Sequence, residues 1–162
     1  MNTNIQRKFE EVSVEQLQMA VDAMEGRPEV TDIWIHTGRV GGALNSMVVY
    51  GVEGHRAVRA YDLDSVLKEP VGSMTSDWQS MLNRGVGVAA LELLGAYREA
   101  DEEHPSRIVV HYDVRASKMN ASFSYNKLDE EDPVQLFDKW LKNAQETGDF
   151  SADATTVPGS DG

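Results

Sequence analysis

Residues 61–66 read YDLDSV, a D-x-D-x-V spacing in which Asp62 could act as a phosphoryl-accepting nucleophile, Asp64 as its acid/base and a magnesium ion as counter-charge. Such a site uses the end of a buried parallel strand. The run ahead of it, GHRAVRA, carries Arg56 and Arg59 and reads as a half-wet antiparallel strand. The expectation is therefore a strand-ending turn. Residues 85–90, GVGVAA, match G-x-G-x-x-A, whose glycines let a pyrophosphate approach a helix N-terminus. Here a polar helical stretch, SDWQSMLNR, precedes the glycines instead of a strand, so they are expected to admit a close-packed neighbour. His36, His55, His104 and His111 fall in no metal-ligand spacing. His111 and Asp113, two apart on one strand face, are expected to form a structural hydrogen-bonded pair. The residues supply no credible active site, and the chain is expected to be no enzyme and to carry no cofactor or metal.

The composition narrows the field further. A chain of 162 residues with 41% apolar content can bury one core, so a single domain is expected. The absence of cysteine excludes disulfides, thiolate zinc sites and a cysteine nucleophile, and fits a reducing cytoplasm. The N-terminal MNTNIQRKFEEV has no apolar run of signal-peptide length, and no stretch is long enough to span a bilayer, so a cytoplasmic location is expected. Twenty-seven acids against fifteen bases give a net charge of -12, which repels nucleic acid and anionic membranes and attracts a basic protein.

The elements follow from periodicity. Ser13 with Gln16 offers a capping box before Val14, Leu17, Val21 and Met24, with Gly26 as the stop. Three apolar runs follow, around Ile33–Ile35, Met47–Tyr50 and Ala57–Tyr61, separated by glycines as a meander requires. Ser76 with Gln79 opens a long helix through Trp78, Met81, Leu82, Val86, Ala89, Ala90, Leu93, Leu94 and Tyr97, with a possible break at Gly85 and Gly87. RIVVHYDVRASKMNASFSYNKL alternates about a polar centre, as a hairpin does. Asp132 and Pro133 suit the N-cap and first position of a last helix that buries Leu136, Phe137, Trp140 and Leu141. The expected fold is α+β, in the order α-β-β-β-α-β-β-α, with helices on an antiparallel sheet of about five strands. The domain is expected over residues 1–145, with a disordered acidic tail over 146–162.

Several of these segments resemble the YezG-like family of bacterial immunity proteins, which includes the EsaG-type antitoxins. They are the tryptophan-bearing strand DIWIHTGRV, the strand SMVVYGVEG, the helix opening SDWQSML and the hairpin end ASFSYNKLDEED, over roughly residues 14–132. The resemblance implies a protein that binds and neutralises a nuclease toxin in the producing cell. It also gives a reason for placing Asp129, Glu130, Glu131 and Asp132 side by side, at roughly a kcal/mol of repulsion per pair in water. A nuclease cleft is basic because its substrate is acidic. By charge, Asp129, Glu130 and Glu131 are the candidate contacts, with Tyr125 as an anchor and Asp132 reserved for the helix cap. The alternatives are a non-catalytic adaptor or chaperone of a secretion system, and a magnesium-dependent phosphoryl-transfer enzyme built on Asp62 and Asp64.

Overall fold

Alternation along residues 33–36 sends Ile33 and Ile35 to one side of a strand and Trp34 and His36 to the other, and all four are buried. A strand buried on both sides needs cover on both. The computed structural model of the chain describes residues 2–71, 76–127 and 132–153, and supplies two covering layers. Its order is α1 (Thr3–Ala23), β1 (Val30–Val40), β2 (Ala43–Val52), β3 (Val58–Arg59), a 3-10 turn (Ala60–Asp62) running into the short α2 (Leu63–Val66), α3 (Ser76–Glu99), β4 (Arg107–Asp113), β5 (Lys118–Ser124) and α4 (Pro133–Thr147). The strands form one antiparallel sheet in the order β3-β2-β1-β4-β5, the α+β architecture that the changes of period predict.

On one face, Ile33, Ile35, Val48, Tyr50, Ile108 and Val110 pack under α1 and α3. The Tyr50 hydroxyl is satisfied there by donating to the Ala20 carbonyl at 2.7 Å. On the other face, Trp34, Val49 and Val109 meet Phe137, Trp140 and Leu141 of α4. The capping of α4 follows the sequence: Asp132 Oδ1 accepts from the N–H groups of Val134 and Gln135 at 2.9 and 3.0 Å, with Pro133 at the first helical position. The β1–β2 turn needs Gly41, whose φ is +58°.

Helix α1 corrects its expected start. It begins at Thr3, capped by the Asn2 side chain accepting from the Ile5 N–H at 2.8 Å. Ile5, Phe9 and Val12 extend the apolar stripe a further two turns back, so Ser13 and Gln16 lie mid-helix and buried while Val14 is 60% exposed. Gln16 Nε2 donates instead to the Val86 carbonyl of α3 at 2.8 Å. Helix α3 runs without a break through Gly85 and Gly87, and Met81 points outward. The side chain of Ser76, its expected cap, lies outside the described residues. A Cβ on Gly85 would come within 2.9 Å of Met19 Sδ, which is the close approach of a neighbouring helix expected of these glycines; Gly87 faces open space. The third apolar run yields only a two-residue strand, and Tyr61 is exposed in the 3-10 turn.

The expected tail requires a larger correction. Glu146 and Thr147 belong to α4, Gly148 caps it in the left-handed conformation, and residues 149–153 fold back over the sheet. The Phe150 ring stacks on Trp34 with centroids 4.0 Å apart, and Ala152 is fully buried. Three donors hold the backbone of this strap or are held by it: Trp140 Nε1 to the Ser151 carbonyl (3.0 Å), Arg107 Nη1 to the Ala152 carbonyl (3.1 Å), and the Ala152 N–H to Ser122 Oγ (2.8 Å). Low apolar content hid this docking, because two aromatic and backbone contacts do the work. Residues 154–162 lie outside the described residues.

Two stability predictions follow from these contacts. Truncation after Gln145 removes Phe150 from Trp34 and the Ala152 carbonyl from Arg107; with Phe150→Ala alone it should cost ~2 kcal/mol or more by chemical denaturation. A truncated chain as stable as the full one would show that the strap does not seal the sheet. Gly87→Ala should stabilise α3 by about 0.5–1 kcal/mol, whereas Gly85→Ala should gain less because Met19 must move.

Candidate functional site

Strand β5 ends at Ser124, and Tyr125 follows it with half of its surface (53%) exposed. Its hydroxyl neighbours Tyr97 near the end of α3; burial first, and then Tyr125, push the Tyr97 phenol above its ordinary value. Asn126, next in the chain, donates to Asp153 Oδ1 at 3.2 Å and ties this corner to the C-terminal strap. Tyr125 therefore follows a paired strand with about half of its surface in solvent. Asp129, Glu130 and Glu131, its expected companions, lie outside the described residues. Asp132, just beyond them, is the structural acid expected: its carboxylate is engaged by the first turn of α4.

Among the described residues the fold presents an acidic surface on α1 that the expected start of that helix did not announce. Glu10, Glu11, Glu15 and Asp22 all lie exposed along the outer side of α1, with Val14 among them. Among the described residues the ion pair on this helix is Lys8 with Glu11, exposed and 3.3 Å long, a geometry worth little. The signal was available in the spacing, since 11, 15 and 22 fall on one helical face. It was obscured by starting the helix at Ser13.

The other candidate residues are placed as follows. Asp64 Oδ1 accepts the Val71 N–H at 2.6 Å and holds the loop after α2, while Asp62 sits in the 3-10 turn beside Arg59 and Asp138 at the sheet edge. The strand before them is a short antiparallel edge, so the parallel-strand setting of a phosphoryl-transfer site is missing at this position. His111 does not pair with Asp113. Its Nε2 lies 2.8 Å from Asp32 Oδ1 on the neighbouring strand, its ring stacks on Trp34 at 5.2 Å, and Asp113 accepts the Ala116 N–H within the β4–β5 turn. Register explains the change: Trp34 is opposite His111 and Asp32 opposite Asp113, which brings the diagonal Asp32 within reach.

His36 is fully buried between Phe137 and Trp140 and accepts a hydrogen bond from Arg107 Nε at 3.0 Å. A ring that accepts at Nε2 carries its hydrogen at Nδ1. Burial, reinforced by the Arg107 charge, holds its pKa well below the ordinary histidine value, so His36 is neutral. Arg107 itself is drawn down to about 10 by burial, with Asp153 opposing, and remains a cation at neutral pH. This pair is a structural joint between β1, β4 and the strap. Among known proteins, no family model and no curated sequence matches the chain.

The pH dependence of stability follows with a definite sign. The unfolded chain takes up a proton at residue 36 as pH falls below about 6.5, and the folded chain, with its lowered pKa, does not. The contribution is complete above that pH and is lost below it at ~1.4 kcal/mol per pH unit. His104, also lowered by burial, adds to the same limb. His36→Gln keeps an acceptor for Arg107 and removes the titration, so its acid limb should be shallower by one proton's slope in denaturation between pH 6.5 and 5. Parallel limbs would mean that His36 is not held neutral.

Proposed function

We propose that this chain is an immunity protein of the kind its segments resemble, binding a basic nuclease toxin domain and blocking it in the cytoplasm of the producing cell, with no chemistry of its own. The observation that carries the reading is the acidic outer face of α1, where Glu10, Glu11, Glu15 and Asp22 face solvent in a chain of net charge -12. Four carboxylates held exposed on one rigid helix make a field that speeds encounter with a basic surface. Charge steers, but contact area holds. Helix α3, packed beside α1 through Gly85 and Met19, exposes Met81, Val88 and Leu91 by more than half of each, and Tyr125 offers an aromatic anchor near its far end. A mostly acidic surface with such apolar anchors suits a basic protein better than a second copy of this chain, which would bring another net charge of -12.

The proposal predicts a basic toxin domain encoded by an adjacent gene, and kinetics against such a domain test it. Two triple amide variants are needed, Glu10→Gln/Glu11→Gln/Glu15→Gln on α1 and Asp129→Asn/Glu130→Gln/Glu131→Gln before α4. The set that faces the toxin should slow association several-fold at low salt. The effect should shrink at high salt, where the Debye length falls from about 10 Å at 0.1 M to about 3 Å at 1 M. Unchanged rates for both sets at both salts would remove the acids from the interface.

A further inference from the structure

Strand β5 is the last of the sheet, and among the described residues no strand pairs with its outer side. The ladder decides which of its backbone groups face outward. The Val114 N–H donates to the Thr31 carbonyl at 3.0 Å and the Arg39 N–H to the Ser106 carbonyl at 2.9 Å, and both pairs continue the β1–β4 register. Backbone groups alternate sides along a strand, so the even-numbered residues of β4 turn theirs to β1, while Arg107, Val109, His111 and Asp113 turn theirs to β5. Opposite these four stand Ser124, Ser122, Asn120 and Lys118. Met119, Ala121 and Phe123 are left with N–H and C=O groups directed away from the sheet, and among the described residues no hydrogen bond takes them.

An open edge is a template for another strand, and proteins commonly guard it with proline, a bulge or charge. β5, KMNASFS, has no proline and no register shift, and its one charge stands at its first residue. We propose that β5 pairs antiparallel with β5 of a second copy of this chain, joining the two sheets into one. The register centred on Ala121 engages all three outward residues, Met119 with Phe123, Ala121 with Ala121 and Phe123 with Met119. Their side chains lie on the α1 side, where Phe123 meets the Phe9 ring at 5.2 Å and Met119 is 38% exposed. Phe123 of the second copy covers that methionine. The opposite side carries the strap, since Ser122 Oγ accepts the Ala152 N–H. There Asn120 comes opposite Ser122, an amide against a hydroxyl, and Lys118 comes opposite Ser124, beside the corner where Asn126 holds Asp153. The strand is thus complementary to itself on both faces.

Charge opposes the contact, because two chains of net charge -12 repel. One pair of seven-residue strands is also small beside the ~1,200–2,000 Å² of stable interfaces. The dimer is therefore weak at low salt and strengthens as salt screens the repulsion. That dependence is opposite in sign to the one expected of a basic partner steered by acids, and the inference stands without the immunity reading.

Sedimentation equilibrium of the full chain from micromolar to millimolar concentration, at about 0.1 M and about 1 M salt, tests the pairing, with amide exchange followed by NMR at both ends of the range. The dimer should form at several-fold lower concentration in the higher salt. The amides of Met119, Ala121 and Phe123 should exchange freely in the dilute chain and about tenfold more slowly in the concentrated one, while those of Asn120 and Ser122 are protected in both. Ala121→Pro removes an outward N–H without touching the β4 ladder, so the chain should fold and stay monomeric. Met119→Asp, at an exposed position, sets a carboxylate opposite Phe123 and should weaken the dimer about tenfold. Exchange is repeated on the dilute chain with the basic peptide KVKVKVK. A chain that stays monomeric throughout, whether or not the peptide slows its edge amides, would overturn the proposal. So would a dimer that both variants leave unchanged, a dimer that dissociates as salt rises, or edge amides already protected in the dilute chain.

Discussion

Burying a guanidinium costs several kcal/mol unless acceptors replace the water it loses, and Arg107, 1% exposed at the start of β4, meets that condition with groups from two distant parts of the chain. Its Nε is taken by His36 on β1 and its Nη1 by the Ala152 carbonyl of the strap. The consequence runs outward from there. A neutral His36 is required beside the cation, and Phe137 and Trp140 keep it neutral by excluding water. The strap is required to bring the carbonyl, and Phe150 on Trp34 holds the strap in place. The α4 face of the sheet is thus a polar joint wrapped in aromatic rings, whereas the α1/α3 face is a conventional apolar core.

Much of the scaffold was legible because local pattern and tertiary demand agree in it. The alternation of Ile33, Trp34, Ile35 and His36, the Asp132–Pro133 helix start, and the glycine-punctuated meander each have one cheap solution, and the fold takes it. The misreadings share a cause: a local signal overruled by a long-range contact. Ser13 and Gln16 look like a cap but lie mid-helix, where Gln16 bonds to α3, Asp113 looks like the partner of His111 but Asp32 takes that place across the ladder, and the strap over residues 149–153 is held in part through backbone carbonyls that no side-chain pattern reports.

An acidic protein that binds a basic partner has two separate tasks. Long-range attraction needs net charge and little geometry, which the exposed carboxylates of α1 provide. Specific holding needs apolar and aromatic groups on rigid supports, and Met81, Val88 and Leu91 stand on a 24-residue helix while Tyr125 stands at the end of a paired strand. Under the proposed immunity reading, such a surface would inhibit by occupying a site, one molecule for one molecule.

That stoichiometry is the most direct test of the account. The activity of a basic nuclease domain encoded next to this chain, the partner proposed above, should be titrated with the purified full chain and the remaining activity measured against molar ratio. Binding-only immunity predicts a linear fall to background at a fixed ratio near one to one, unchanged by longer incubation. Loss of activity at a small fraction of that ratio, growing with time, would mean that the chain acts on the toxin as an enzyme. Full activity in excess chain would contradict the immunity function itself.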